Sequence, residues 1–287
     1  KIMKKKIWLP LIFPVTLLAL IITGCTKGSA KNTNTKHVQN GSSSSIPTFF
    51  LHGWGSSVNA ERHMVNAARN RGVTNDVVTA IVKRNGQVSL SGKISKNAKN
   101  PIIMVGYQDN RNGNYRTDAR YAYNAVKAVQ RSYNFKKMNL VGHSMGNMDI
   151  IFMLLYYGQN KNFPKVNRQV DIAGHFNGIR GMQSTAYAHV NKAGRPSKMD
   201  SDYKQLMRLR QTYPKTASVM NIYGDWQDGT HSDKDVTIYS AKSLKYLVSP
   251  RAKHYEEHLI IGAGAQHSRL HENPEVDELL IKFLWGK

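Results

Sequence analysis

One cysteine, few acids and no long apolar run mark this chain, and each scarcity closes off a class of protein. With Cys25 alone, no disulfide can form within the chain, so a scaffold held by cross-links is excluded. The 11 histidines include no His-Glu-x-x-His pattern and meet no cysteine cluster, so neither a catalytic metal nor a cofactor is expected. Asp and Glu number 18 against 41 Lys and Arg, a formal charge of +23 over 287 residues. Such a surface draws polyanions, and anionic lipid headgroups or phosphate-rich wall polymers are the expected ones. Nucleic acid is not expected, because no basic motif with interleaved aromatics occurs. The longest apolar stretch, Ile7 to Ile22, is broken by Pro10 and Pro14 and is shorter than the roughly 18–20 residues of a spanning helix.

That short stretch has another use. Lys4, Lys5 and Lys6 precede it and Thr23 and Gly24 lead into Cys25, so residues 1–24 read as a secretory signal peptide. The ending Ile22-Thr23-Gly24-Cys25 resembles a bacterial lipobox, which implies a diacylglyceryl thioether on Cys25 and attachment to the outer leaflet of a cell membrane. An uncleaved N-terminal anchor is the alternative, and it would tether the exported chain equally. Residues 25–45 are rich in Ser, Asn, Lys and Thr with little to bury, and read as a flexible tether. Removing the four lysines ahead of Cys25 leaves the mature chain at +19, so the basic character belongs to the mature protein.

Residues 46–287 carry the fold. Short apolar runs at Thr48 to Leu51, Val77 to Val82, Ile102 to Tyr107, Met138 to Val141, Val166 to Ala173, Val219 to Tyr223 and His258 to Ile261 predict strands. Several are too evenly apolar for strands with one wet face, which is the pattern of a parallel sheet covered on both sides. Amphipathic stretches at Ala60 to Arg71, Arg116 to Tyr133, Met145 to Tyr157 and Glu275 to Leu284 predict helices between them, and Gln87 to Ser91 a hairpin arm. Alternating strands and helices over this length imply one three-layer α/β domain. The stretch Gly174 to Lys215 reads as an insertion able to roof a site, with Met182, Tyr187 and Met207 as apolar side chains for substrate or for packing.

The sharpest motif is Gly142-His143-Ser144-Met145-Gly146, which follows a predicted strand and opens a predicted helix. A serine on such a turn has a strained backbone, flanking glycines remove side chains that would clash, and Oγ is left above the sheet. Ser144 is therefore the expected nucleophile, the alternative being a helix cap, which would not need glycine on both sides. A glycine-punctuated loop, His52-Gly53-Trp54-Gly55, follows the first strand.

Together these motifs resemble the α/β-hydrolase superfamily over Pro47 to Lys287. Gly174-His175-Phe176-Asn177-Gly178 and the ending Phe283-Leu284-Trp285 are further similar to DUF915, a family of Gram-positive cell-surface hydrolases. The resemblance implies an α/β-hydrolase fold and oxyanion donors at the amides of Trp54 and Met145. It also implies the chain order serine, acid, histidine. Asp233, in Asp233-Lys234-Asp235-Val236, matches the family's Asp-x-x-Val; Asp225 is the runner-up, and Asp228 is read as a turn residue or cation ligand. His267, in the loop before the last helix, is the expected base, with His271 as the alternative. His52 and His143 are read as loop-orienting. The expected activity is hydrolysis of carboxylic esters, lipase-like or small, by a monomer at the cell surface. An acyltransferase on the same scaffold and a silent protein binding anionic wall polymer are the alternatives.

Overall fold

A computed structural model describes residues 45–287. The signal peptide, Cys25 and nearly all of the expected tether lie outside the described residues. Eight strands form one sheet: β1 (Thr48–Leu51), β2 (Val77–Val82), β3 (Val88–Ser91), β4 (Ile102–Tyr107), β5 (Lys137–His143), β6 (Lys165–Ile172), β7 (Ser218–Asp225) and β8 (His254–Ile261). Their order is β3-β2-β4-β1-β5-β6-β7-β8, and every pair is parallel except the β2–β3 hairpin. The main helices are α1 (Arg62–Asn70), α2 (Tyr115–Tyr133) and α3 (Met145–Tyr157). Short α4 (Ser201–Leu206), α5 (Leu209–Thr212), α6 (Ile238–Lys242) and α7 (Leu244–Val248) follow, before α8 (Pro274–Trp285).

The even apolarity of the central strands has a direct cause. In β1, Phe49 and Leu51 enter the core shared with α2 and α3, while Phe50 between them enters the core shared with α1 and α8. Successive side chains point to opposite faces, so a strand covered on both sides must be apolar at every position. Edge strands escape this demand. β8 begins four residues before its apolar run, at His254, because an edge strand with one solvated side tolerates the polar His254, Glu256 and His258. Helix ends follow local chemistry: Asn273 accepts from Glu275 N at 2.8 Å, Pro274 starts α8, and Gly286 ends it in the left-handed region.

Register decides where the loops meet. Leu51 pairs with Gly142, His143 with Ile172, Ile172 with Ile222 and Asp225 with Ile261. The loops leaving β1, β5, β6, β7 and β8 therefore emerge side by side at the carboxyl edge of the sheet, where open α/β sheets bind ligands.

The Gly174 to Lys215 segment is anchored to the body over most of its length. The Asn177 backbone amide donates to Ser240 Oγ at 3.0 Å, while its Nδ2 ties the segment to itself through the carbonyls of Thr185 and Lys198 at 3.0 and 2.8 Å. Tyr203, Leu206, Leu209 and Tyr213 are fully buried in the α2–α3 core, and the Tyr213 hydroxyl donates to Gln169 Oε1 at 2.9 Å. No helix among the described residues is long and apolar enough to cross a membrane.

Candidate active site

Ser144 sits between β5 and α3 with φ 53° and ψ −119°, a conformation side chains rarely adopt. Two close approaches hold it there. A Cβ on Gly142 would lie 2.7 Å from the Asn147 backbone nitrogen, and one on Gly146 would overlap the Leu51 carbonyl. The Ser144 amide donates to Ile172 O at 3.0 Å, tying the turn to the end of β6, and Asn147 Nδ2 donates to the same carbonyl at 2.7 Å.

His267 Nε2 stands 2.8 Å from Ser144 Oγ, and His267 Nδ1 stands 2.8 Å from Asp233 Oδ2. Asp233 is buried at 1% exposure, and its other oxygen accepts from the amides of Asp235 at 2.9 Å and Val236 at 2.6 Å. The His267 amide also donates to the Asp233 carbonyl at 2.8 Å. A carboxylate accepts only, so the proton of a neutral His267 lies on Nδ1 and the lone pair of Nε2 faces Ser144. Burial disfavours the imidazolium, but the hydrogen bond and charge of Asp233, joined by the charge of Asp235, outweigh it and raise the His267 pKa above its ordinary value.

The other acids go elsewhere. Asp225 accepts from Gln227 N at 2.9 Å and lies 3.6 Å from His231. Asp228 accepts from Thr230 N at 3.1 Å and closes its own loop. Neither hydrogen-bonds to His267. His271 packs edge-on to His143 at 4.6 Å between ring centroids, and burial lowers its pKa. His143 Nε2 donates to the His267 carbonyl at 2.9 Å, and burial, reinforced by His267, holds it well below its usual value. His52 Nδ1 donates to Gly53 O at 2.8 Å, and burial lowers it too. Both histidines thus orient loops as neutral rings.

Ser144, His267, His143 and His271 border a cleft of about 490 Å³ that Trp54, Met145, Ile179 and Met182 make largely apolar. The amides of Trp54 and Met145 find no acceptor among the described residues, and Trp54 is itself half exposed. Of the three apolar side chains expected to serve substrate or packing, Met182 lines the cleft, Met207 packs on the main core and Tyr187 stands on the outside. His175, Ile179 and Arg180 also line it, and composition gave them no role. Their one sequence signal is the Gly174 to Gly178 motif, which contains His175 and immediately precedes Ile179 and Arg180. Burial pushes His175 down to about 3, so its ring stays neutral. No group of three ligating side chains among the described residues is placed to hold a metal.

Residues 35–287 match the model of the family described as alpha/beta hydrolase of unknown function, DUF915. Among solved structures, a Listeria innocua protein is 23% identical, with TM-score 0.75 over 85% of this chain and 95% of that one. A Lactobacillus plantarum protein described as a cell surface hydrolase is 24% identical, with TM-score 0.66 over 84% and 90%. A thermostable carboxyl esterase from Bacillus coagulans is 14% identical, with TM-score 0.50 over 87% and 91%. No curated protein sequence matches the chain.

Proposed function

Because the chain belongs to the alpha/beta hydrolase family DUF915, we propose that it is a serine hydrolase of carboxylic esters working through an acyl-enzyme, exported and held at the cell surface by a lipid on Cys25. The observation that carries the chemistry is the unbroken line from Ser144 Oγ through His267 to Asp233, with both hydrogen bonds at 2.8 Å.

A serine hydroxyl is a poor nucleophile until a base takes its proton. In this reading Ser144 Oγ attacks the ester carbonyl carbon while His267 Nε2 accepts the hydroxyl proton, and Asp233 stabilises the resulting imidazolium. The carbonyl oxygen gains a negative charge, which the amides of Trp54 and Met145 receive. The carbon–oxygen bond to the alcohol breaks as His267 returns its proton to that oxygen. Water then attacks the acyl-serine by the same route, releasing the acid and restoring Ser144. The apolar cleft suits an acyl chain or other hydrocarbon group.

A fluorophosphonate probe tests the reading, since it reacts with an activated serine and spares an ordinary one. Labelling of the wild type, its absence in Ser144→Ala, and a fall in ester turnover of about 10⁴-fold or more are expected. Near-native turnover by purified Ser144→Ala would exclude that serine as nucleophile.

A further inference from the structure

Among the described residues lining the Ser144 cleft, Arg180 is the one lysine or arginine. Its histidine neighbours add no fixed charge, because burial keeps His143, His175 and His271 neutral. On a chain with 41 basic residues an unpaired arginine at the surface is ordinary. Arg180 is different in being held. Its amide donates to Asp235 O at 2.9 Å and its Nη1 donates to Lys234 O at 3.0 Å, so backbone and guanidinium are pinned to the loop that carries Asp233.

The pinning uses one corner of the guanidinium and leaves its Nε–Nη2 edge. Nε is buried and meets no acceptor, and Arg180 takes part in none of the ion pairs among the described residues. A buried cationic N–H without a partner is costly. The edge without a protein partner is the side of the fork that can take two oxygens of a carboxylate or phosphate at once, and with Nε covered an anion would reach it from the cleft that Arg180 lines. Asp235 is the one carboxylate lining the cleft and does not pair with Arg180, while the charge of Arg180 is felt by Asp228 in the same loop.

Resting on the serine-ester reading above, we infer that Arg180 reads an anionic group on the substrate. The preferred esters then carry a carboxylate or phosphate beside an otherwise apolar body. The hydrocarbon part lies against Trp54, Met145, Ile179 and Met182, and the anion meets the guanidinium edge. Arg180 sets affinity and leaves bond-breaking to Ser144 and His267.

The test compares matched esters on the purified full chain: 4-nitrophenyl hemiglutarate against 4-nitrophenyl pentanoate, and a lysophosphatidate against the monoacylglycerol of the same chain length. The first pair places a carboxylate on the acyl side; the second places a phosphate on the alcohol side. In at least one pair the wild type should show KM about 10–100-fold lower for the anionic member. Arg180→Gln should erase the KM difference between the anionic and neutral esters, and Arg180→Lys, which keeps charge without the fork, should restore part of it. Asp235→Asn should sharpen it. A wild type without preference, or an Arg180→Gln protein that loses kcat on both esters and keeps the preference, would overturn the proposal and leave Arg180 as a tie between loops. Fluorophosphonate labelling separates this from failure of the parent reading: a labelled wild type that ignores the anion sinks this inference alone. Calorimetric binding of glutarate to Ser144→Ala, lost in Ser144→Ala/Arg180→Gln, decides the anion site without any turnover.

Discussion

Asp225 ends β7 and three more acids follow it in the next loop, and what distinguishes Asp233 from the others is where its two oxygens point. One is held by two backbone amides and the other by His267. Asp233→Asn should therefore cost on the order of 10⁴ in kcat/KM, while Asp225→Asn, whose carboxylate serves Gln227, should cost far less. The pH profile adds an independent readout. His267 must be neutral to accept a proton, so kcat/KM falls as pH drops through its raised pKa. Removing the Asp233 charge and hydrogen bond lowers that pKa and moves the acid limb of the profile toward lower pH. An acid limb that stays in place in Asp233→Asn would detach the carboxylate from the base. His175, fixed neutral by burial, leaves no mark on the profile.

At the scale of elements, the site depends on two backbones meeting. α3 begins so close to the end of β1 that only hydrogen fits at Gly146, and the Leu51–Gly142 register aligns the two loops that flank Ser144. Gly146→Ala must part β1 from α3. A loss of at least about 2 kcal/mol is expected, some 5 °C in the thermal midpoint, together with loss of activity. An unchanged midpoint would mean that this contact is looser than described. The α4–α5 stretch is bound into the main core by Tyr203 and Tyr213. Within the segment it is the turn from His175 to Met182 that forms a wall of the cleft.

For the whole molecule, the proposed location rests on Cys25 and charge together. Two acyl chains on a diacylglyceryl group hold firmly where one chain holds marginally, and the +19 left by cleavage ahead of Cys25 would add attraction to an anionic surface. Cys25→Ala should abolish incorporation of labelled fatty acid, and high salt should then elute the variant while wild type stays with the membrane. Elution of wild type by salt alone would leave charge as the only tether.

The α/β class, seven strand positions and the Ser144 turn were legible in the sequence because each rests on local physics: hydrophobic period, helix-start chemistry and the sterics of glycine. The same holds for the boundaries of β1, β2 and β4, whose apolar runs coincide with the observed strands. β8 was read short, since its first residues are polar and only its edge position makes them a strand. The Asp-x-x-Val match pointed to Asp233 over Asp225 and Asp228, but which carboxylate meets His267 is set by tertiary structure, because Asp225 ends β7 and the other two differ in how the loop after it folds back toward β8. The cleft wall at His175 and Arg180 was equally beyond local reading. Arg180 is one of 41 basic residues in sequence, and becomes distinct only when the Lys234 carbonyl pins it beside Ser144. Contacts between residues tens of positions apart are set by strand register and packing, which no local pattern encodes.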